Sequence, residues 1–126
     1  MSAPVNVSLV LSWCWVIVLT ITSGLFDAQG FLYASRVWEN GALNVGALGR
    51  SAGGFFVGIS LYYVMLRSLD ALGVRAAEVQ TLLWFGVTLI GVAIFRGSFS
   101  TWSRVDQLVS VLVLVGIAAL TVRNPA

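Results

Sequence analysis

The stretch that decides the fold is LVLSWCWVIVLTITSGLFDAQGFLYA, residues 9–34, in which Asp27 is the single charged side chain. A membrane-spanning helix needs about 20 consecutive, mostly apolar residues, because the hydrocarbon core of a bilayer is about 30 Å thick. This stretch is longer than that requirement. We therefore predict that residues 9–34 form a helix that crosses a membrane.

The composition of the whole chain points to lipid as its solvent. Of 126 residues, 59% are hydrophobic and 10% are charged, whereas about a quarter of the residues of a soluble domain are charged. Charged residues divide the rest of the chain into further apolar stretches, and we predict spans at residues 48–66, 78–95 and 107–122. The expected fold is an all-α, four-helix transmembrane bundle that occupies residues 1–126 as a single domain.

The arginines carry the only signal for orientation. Four spans would place Arg67, Arg75 and Arg123 on one side of the membrane and the other four arginines on the opposite side. Orientation in a membrane follows an excess of basic residues in the cytoplasmic loops, and three against four is hardly an excess. Either the chain inserts in both orientations, or a partner or the order of insertion sets its direction.

Missing residue types exclude several functions. The chain has no histidine and one cysteine, Cys14, so we expect no zinc, haem or iron–sulfur site and no histidine-activated nucleophile. No glycine-rich phosphate loop is present, and the arginines are too dispersed for a nucleic-acid surface. The chain is therefore predicted to be neither an enzyme nor a cofactor-binding protein, with membrane lipid as one of its partners.

Asp27 is the strongest candidate for a functional residue. A carboxylate near the centre of a bilayer costs about 2.5–3.5 kcal/mol on insertion scales, so it is tolerated where it faces protein or a water-filled cavity. At helical spacing its neighbours are mostly small or polar: Thr20, Ser23, Gly24, Gly30 and Ala34. Asp27 should point inward and bind protons or a cation, unless it lies near enough to the helix end to reach water or an arginine.

The third predicted span offers weaker candidates. Glu78 begins this span, where a carboxylate also interacts favourably with the helix dipole. Its face at helical spacing continues through Thr81, Phe85 and Thr88, with Trp84 and Gly91 adjoining it. Glu78, Thr81 and Trp84 could therefore line a substrate path, and the same pattern also describes ordinary packing. In the second span, Gly54 and Gly58 form a pair of small residues that lets a neighbouring backbone approach.

Two longer stretches resemble a known family. SLYYVMLRSLDALGVRAAEVQTLLWFGVTLIGVAIF, residues 60–95, followed by VDQLVSVLVLVGIAAL, residues 105–120, is similar in order and spacing to the last three helices of the small multidrug resistance family. Related members of the drug/metabolite transporter superfamily include paired subunits that flip lipid-linked sugars. The resemblance implies four helices, an antiparallel homodimer or a heterodimer with another small subunit, and a bacterial cytoplasmic (inner) membrane.

The resemblance also assigns roles to particular residues. Asp27 and Gly30 are similar to the acidic residue and following glycine of the family's first helix, which implies that Asp27 binds protons and a cationic substrate. Trp84 resembles the tryptophan of its third helix, and Gly116 the glycine of the last helix, which pairs subunits. The family's acid is a glutamate nearer the middle of its helix, and its proline before the third helix is absent here.

Three functional hypotheses follow. The first is a transporter subunit that exchanges protons for a hydrophobic cation or lipid-like substrate through Asp27. The second is a component of a flippase for lipid-linked sugars, which needs a partner subunit but no essential carboxylate. The third is an accessory subunit that stabilises a larger membrane complex through its small-residue faces.

Overall fold

A computed structural model describes residue 4 and residues 6–123 of the chain. The described residues form four α-helices, one short strand pair and one turn of 3₁₀-helix, which confirms the predicted all-α class. The elements in chain order are α1 (Val7–Ala34), β1 (Trp38–Glu39), β2 (Ala42–Leu43), α2 (Val45–Ala71), α3 (Ala77–Arg96), a 3₁₀ turn (Phe99–Thr101) and α4 (Arg104–Arg123).

The first two helices begin at asparagine caps. The side-chain oxygen of Asn6 accepts a hydrogen bond from the backbone N–H of Leu9 at 3.3 Å, and that of Asn44 accepts one from Ala47 at 3.0 Å. Each bond satisfies one of the N–H groups that lack a partner at the start of a helix. Because Asn44 starts α2 early, α2 begins three residues before the predicted span, and it continues to Ala71.

A β-hairpin, which was not predicted from the sequence, joins α1 to α2. Trp38 pairs with Leu43 and Glu39 with Ala42 in an antiparallel ladder. The two turn residues, Asn40 and Gly41, have φ values of 53° and 77°, as a two-residue hairpin turn requires. The Asn-Gly pair is a strong sequence signal for such a turn. This short link holds the adjoining ends of α1 and α2 together.

Three of the helices are long and apolar enough to span a membrane: α1, α2 and α3. By length and composition the chain is therefore an integral membrane protein. Over the described residues α4 is not one of these candidate spans, so the predicted set of four spans is borne out for three. Arg104, Asp106 and Gln107 occupy the first turn of α4 and shorten its apolar part.

Helix α1 is the centre of the packing. It contacts both α2 and α3 along its length, whereas α4 packs chiefly against α3. Near the start of α1, side chains from three helices form a buried apolar cluster that includes Val16, Leu19, Met65, Leu69 and Val79. Towards the other end of α1 the contacts pass to glycine, serine and alanine, so that the helix backbones approach closely. Asp27 lies in that second region.

Candidate functional site

The side chain of Asp27 is enclosed by the helices and has no exposed surface. One carboxyl oxygen, Oδ2, accepts a hydrogen bond from the indole Nε1 of Trp84 at 2.6 Å. The other oxygen, Oδ1, is buried without a hydrogen-bond partner among the described residues. Asp27 and Trp84, two of the residues predicted for the site, therefore meet across the interface of α1 and α3.

Gly58 of α2 packs directly against the Asp27 carboxyl. A Cβ atom built on Gly58 would lie 2.5 Å from the Asp27 carboxyl carbon and 2.8 Å from Oδ2, distances that a real Cβ does not adopt. One helical turn before Asp27, the hydroxyl of Ser23 donates to the Gly58 carbonyl at 2.7 Å. Only a residue without a side chain leaves room for the carboxyl at this position of α2.

Two further contacts bring α1 and α2 together beyond Asp27. A Cβ on Gly54 would lie 2.9 Å from the backbone nitrogen of Gly30, and the hydroxyl of Ser51 donates to the Gly30 carbonyl at 2.8 Å. Small residues and serine–carbonyl bonds of this kind hold helices together in lipid. Lipid tails are as apolar as the side chains, so burial of apolar surface contributes little to helix association there. The predicted packing residues Gly30, Gly54 and Gly58 thus all lie on the α1–α2 interface.

Close contacts also set the position of α3 on α1. Gly24 of α1 faces Val87, and a Cβ on Gly91 of α3 would lie 2.8 Å from Cβ of Ala28. Gly24 and Ala28 flank Asp27 on α1, and Val87 and Gly91 follow Trp84 on α3. These contacts fix the position of α3 along α1 and its rotation about its own axis. They therefore bring the indole nitrogen of Trp84 within hydrogen-bond distance of the Asp27 carboxyl.

Aromatic rings continue from Trp84 towards the outside of the bundle. The ring centroid of Tyr62 lies 5.5 Å from that of Trp84, and Phe85 lies 5.1 Å from it in an edge-to-face arrangement. Tyr62 is partly buried, whereas Phe85 is 47% exposed. The faces of aromatic rings attract cations. A series of rings therefore connects the buried carboxyl with the surface of the helical bundle.

The predicted face of α3 is divided in the structure. Thr88 is buried, and its hydroxyl has no hydrogen-bond partner among the described residues. Glu78 and Thr81 are exposed, and the hydroxyl of Thr81 donates to the Ala77 carbonyl of its own helix at 2.8 Å. No described contact brings Glu78 or Thr81 to Asp27. Gly116 on α4 is exposed, with no atom within 4 Å of an added Cβ.

The interhelical hydrogen bonds of two buried serines, Ser23 and Ser51, were not predicted from the sequence. Helical spacing placed Ser23 on the face of Asp27 but did not show that its hydroxyl would bond to α2. No equivalent signal marks Ser51, because its acceptor on Gly30 becomes known only from the pairing of α1 with α2.

The chemistry of the site follows from its missing countercharge. The one ion pair among the described residues joins Arg75 to Asp70 at 2.6 Å, so no described arginine neutralises Asp27. A buried carboxylate with one hydrogen bond is costly unless another group balances its charge. A proton or a bound cation can do this. Among the described residues, no group of three acidic or cysteine side chains could hold a metal ion.

Fold and site together define a helical membrane protein with an enclosed carboxyl group at the junction of three helices. No family model, curated protein or solved structure matches the chain.

Replacing Trp84 with phenylalanine is expected to lower the free energy of unfolding by about 2 kcal/mol, because the change removes the one donor that the described residues provide to the buried Asp27 carboxyl. Trp15→Phe is the matched control, since Trp15 is 53% exposed on α1 and should cost much less. Titration of each variant with sodium dodecyl sulfate in mixed micelles, monitored by circular dichroism, measures both losses of stability. Equal costs for the two variants would show that the hydrogen bond contributes nothing.

Proposed function

We propose that the chain is a subunit of a small membrane transporter that exchanges protons for a lipophilic cation at Asp27. One observation carries the proposal: the Asp27 carboxyl is fully buried, with one oxygen held by Trp84 and the other without a partner among the residues that the structure describes. Ionisable residues inside membrane segments are costly and rare, and they mark ion and proton pathways. A proton and a cation would compete for the same free oxygen.

The aromatic residues beside Asp27 support a cation with apolar groups as the substrate. Trp84 contacts the carboxyl, Tyr62 lies beside Trp84, and Phe85 extends the series to the exposed surface. Such a substrate would enter from the bilayer and contact ring faces before it reaches the charge. Because Asp27 has no exposed surface, transport requires α3 to separate locally from α1 or α2.

We further propose that α4 is a fourth span and that the active unit is a dimer in a bacterial cytoplasmic membrane. Residues 108–120 of α4 contain no charged side chain, which supports a short span, and α4 leaves most of its surface exposed. The nearly equal numbers of arginines on the two sides support an antiparallel homodimer or a paired heterodimer.

The test is cation uptake driven by a proton gradient. Liposomes that contain the purified chain and have an acidic interior should accumulate tetraphenylphosphonium from the outside above the level of protein-free liposomes. Nigericin, which dissipates the pH gradient by exchanging protons for potassium, should abolish the accumulation. No uptake by the folded chain, either alone or together with a small subunit that co-purifies with it, contradicts the proposal. Its recovery in a stoichiometric larger complex would favour an accessory subunit, and transbilayer movement of lipid-linked sugar would favour a flippase component.

A further inference from the structure

Two arginines line one cavity where α1 and α3 end. The cavity has a volume of about 260 Å³ and is lined by Gln29, Leu32, Tyr33, Arg36, Phe95 and Arg96. Neither Arg36 nor Arg96 forms an ion pair or a side-chain hydrogen bond with another described residue. A third guanidinium, that of Arg50, lies 5.4 Å from the centre of the Tyr33 ring. This end of the bundle therefore presents positive charge around a small cavity.

An apolar groove begins at the same place. It lies between α3 and α4, has a volume of about 770 Å³, and is lined by apolar residues that include Leu89, Ile90, Val113 and Leu114. Arg96 lines both the cavity and this groove, and Trp102 lies on the groove wall. The two spaces thus meet at one guanidinium group, with an aromatic ring of the kind that anchors proteins at lipid headgroups.

The length of the groove matches one leaflet of a membrane. On α3 its lining extends from Gly86 to Arg96, which at 1.5 Å per residue is about 15 Å. Half of a hydrocarbon core of about 30 Å is also about 15 Å. A transmembrane helix of a second copy would need a groove that spans the full thickness. An acyl chain with an anionic headgroup fits both features.

We propose that the chain binds an anionic phospholipid here, with the phosphate on Arg36 and Arg96 and an acyl chain in the groove between α3 and α4. Guanidinium groups bind phosphate oxygens through paired hydrogen bonds, and basic pockets between membrane helices bind anionic headgroups. The site is separate from Asp27. It holds a structural lipid at the contact of α4 with the other helices, and does not depend on the transport proposal.

Native mass spectrometry of the full chain in a mild detergent tests the site. Added palmitoyl-oleoyl phosphatidylglycerol should give a discrete one-lipid adduct, and phosphatidylcholine with the same acyl chains should not. The Arg36→Ala/Arg96→Ala variant is expected to lower the affinity for phosphatidylglycerol roughly 30-fold. Arg67→Ala/Arg123→Ala removes the same charge from exposed residues at the other end and should leave the affinity unchanged.

A second pair of variants tests the acyl-chain position. Val113 lines the groove, whereas Val109 is exposed on α4 and does not line it. Val113→Trp should fill the groove and weaken the adduct, while Val109→Trp should not. Equal binding of both lipids, or equal effects of the two arginine pairs, would overturn the proposal. Displacement of the lipid by inorganic phosphate would also overturn it. A Val113→Trp variant that still binds the lipid but forms a different oligomer, as its mass would show, would do the same.

Discussion

Asp27→Asn is expected to reduce proton-driven uptake of tetraphenylphosphonium to the level of protein-free liposomes. Asparagine has nearly the shape of aspartate, and its side-chain oxygen can still accept the Trp84 N–H that now binds Oδ2 at 2.6 Å. It carries no ionisable proton, so it can neither release one nor attract a cation by charge. The variant therefore removes the exchange chemistry while it keeps the hydrogen bond and the packing.

Glu78→Gln is the matched control for this experiment. Glu78 is an exposed carboxylate in the first turn of α3, and its replacement removes the same charge without touching the buried site. Uptake by this variant should equal that of the unaltered chain. The stability of both variants should be measured in mixed micelles alongside their uptake, because a loss of uptake is informative only for a chain that remains folded. Undiminished uptake by folded Asp27→Asn chains would exclude the proposed role of Asp27.

Gly58→Ala is expected to lower the free energy of unfolding by about 3 kcal/mol, an effect typical of overpacking at a tight contact. The added Cβ would lie 2.5 Å from the carboxyl carbon of Asp27. The carboxyl cannot move aside without breaking its bond to Trp84, and Ser23 ties the Gly58 carbonyl to α1. Helices α1 and α2 would have to separate, and the loss of stability is measured by titration with sodium dodecyl sulfate.

Gly53→Ala is expected to raise the free energy of unfolding instead of lowering it. Gly53 lies on the same helix with nothing within 4 Å of an added Cβ, and alanine is favoured over glycine in a helix by up to about 1 kcal/mol. In an Asp27→Ala background, which removes the carboxyl, the cost of Gly58→Ala should fall below about 1 kcal/mol, because the two residues act on each other directly. An unchanged cost in that background would show that the clash is with another part of α1.

Much of the helical architecture could be predicted from the positions of charges. Residues 9–34 and 78–95 nearly coincide with α1 and α3, because Arg36 and Arg96 fall at their ends. Helix α2 extends beyond residues 48–66 at both ends, so Arg67 and Asp70, which were expected to close this span, lie within the helix. Long charged side chains near the ends of a helix can reach water without ending it. The sequence therefore gives the apolar part of each helix better than its ends.

The inward orientation of Asp27 on α1 could be predicted from the sequence, whereas its contacts with the other helices could not. The small residues around Asp27 predicted that it faces protein, and the structure places it without exposed surface. Its bond to Trp84 depends on the rotation and height of α3, which are set by contacts such as Gly24 with Val87. Helix α3 is apolar on all sides, so periodicity cannot tell which face meets α1. For this reason Glu78 and Thr81 were grouped with Trp84, although they lie on the exposed surface.

The separation of 57 residues between Asp27 and Trp84 also has a consequence for biogenesis. A chain that leaves the ribosome from its N-terminus exposes α1 and α2 to the membrane before α3. The hairpin at Trp38–Leu43 lets these two helices associate early, and at that stage Gly58 already covers a carboxyl that has no donor. Arrival of Trp84 supplies the hydrogen bond, so the pair formed by α1 and α2 is stabilised only when the third helix docks.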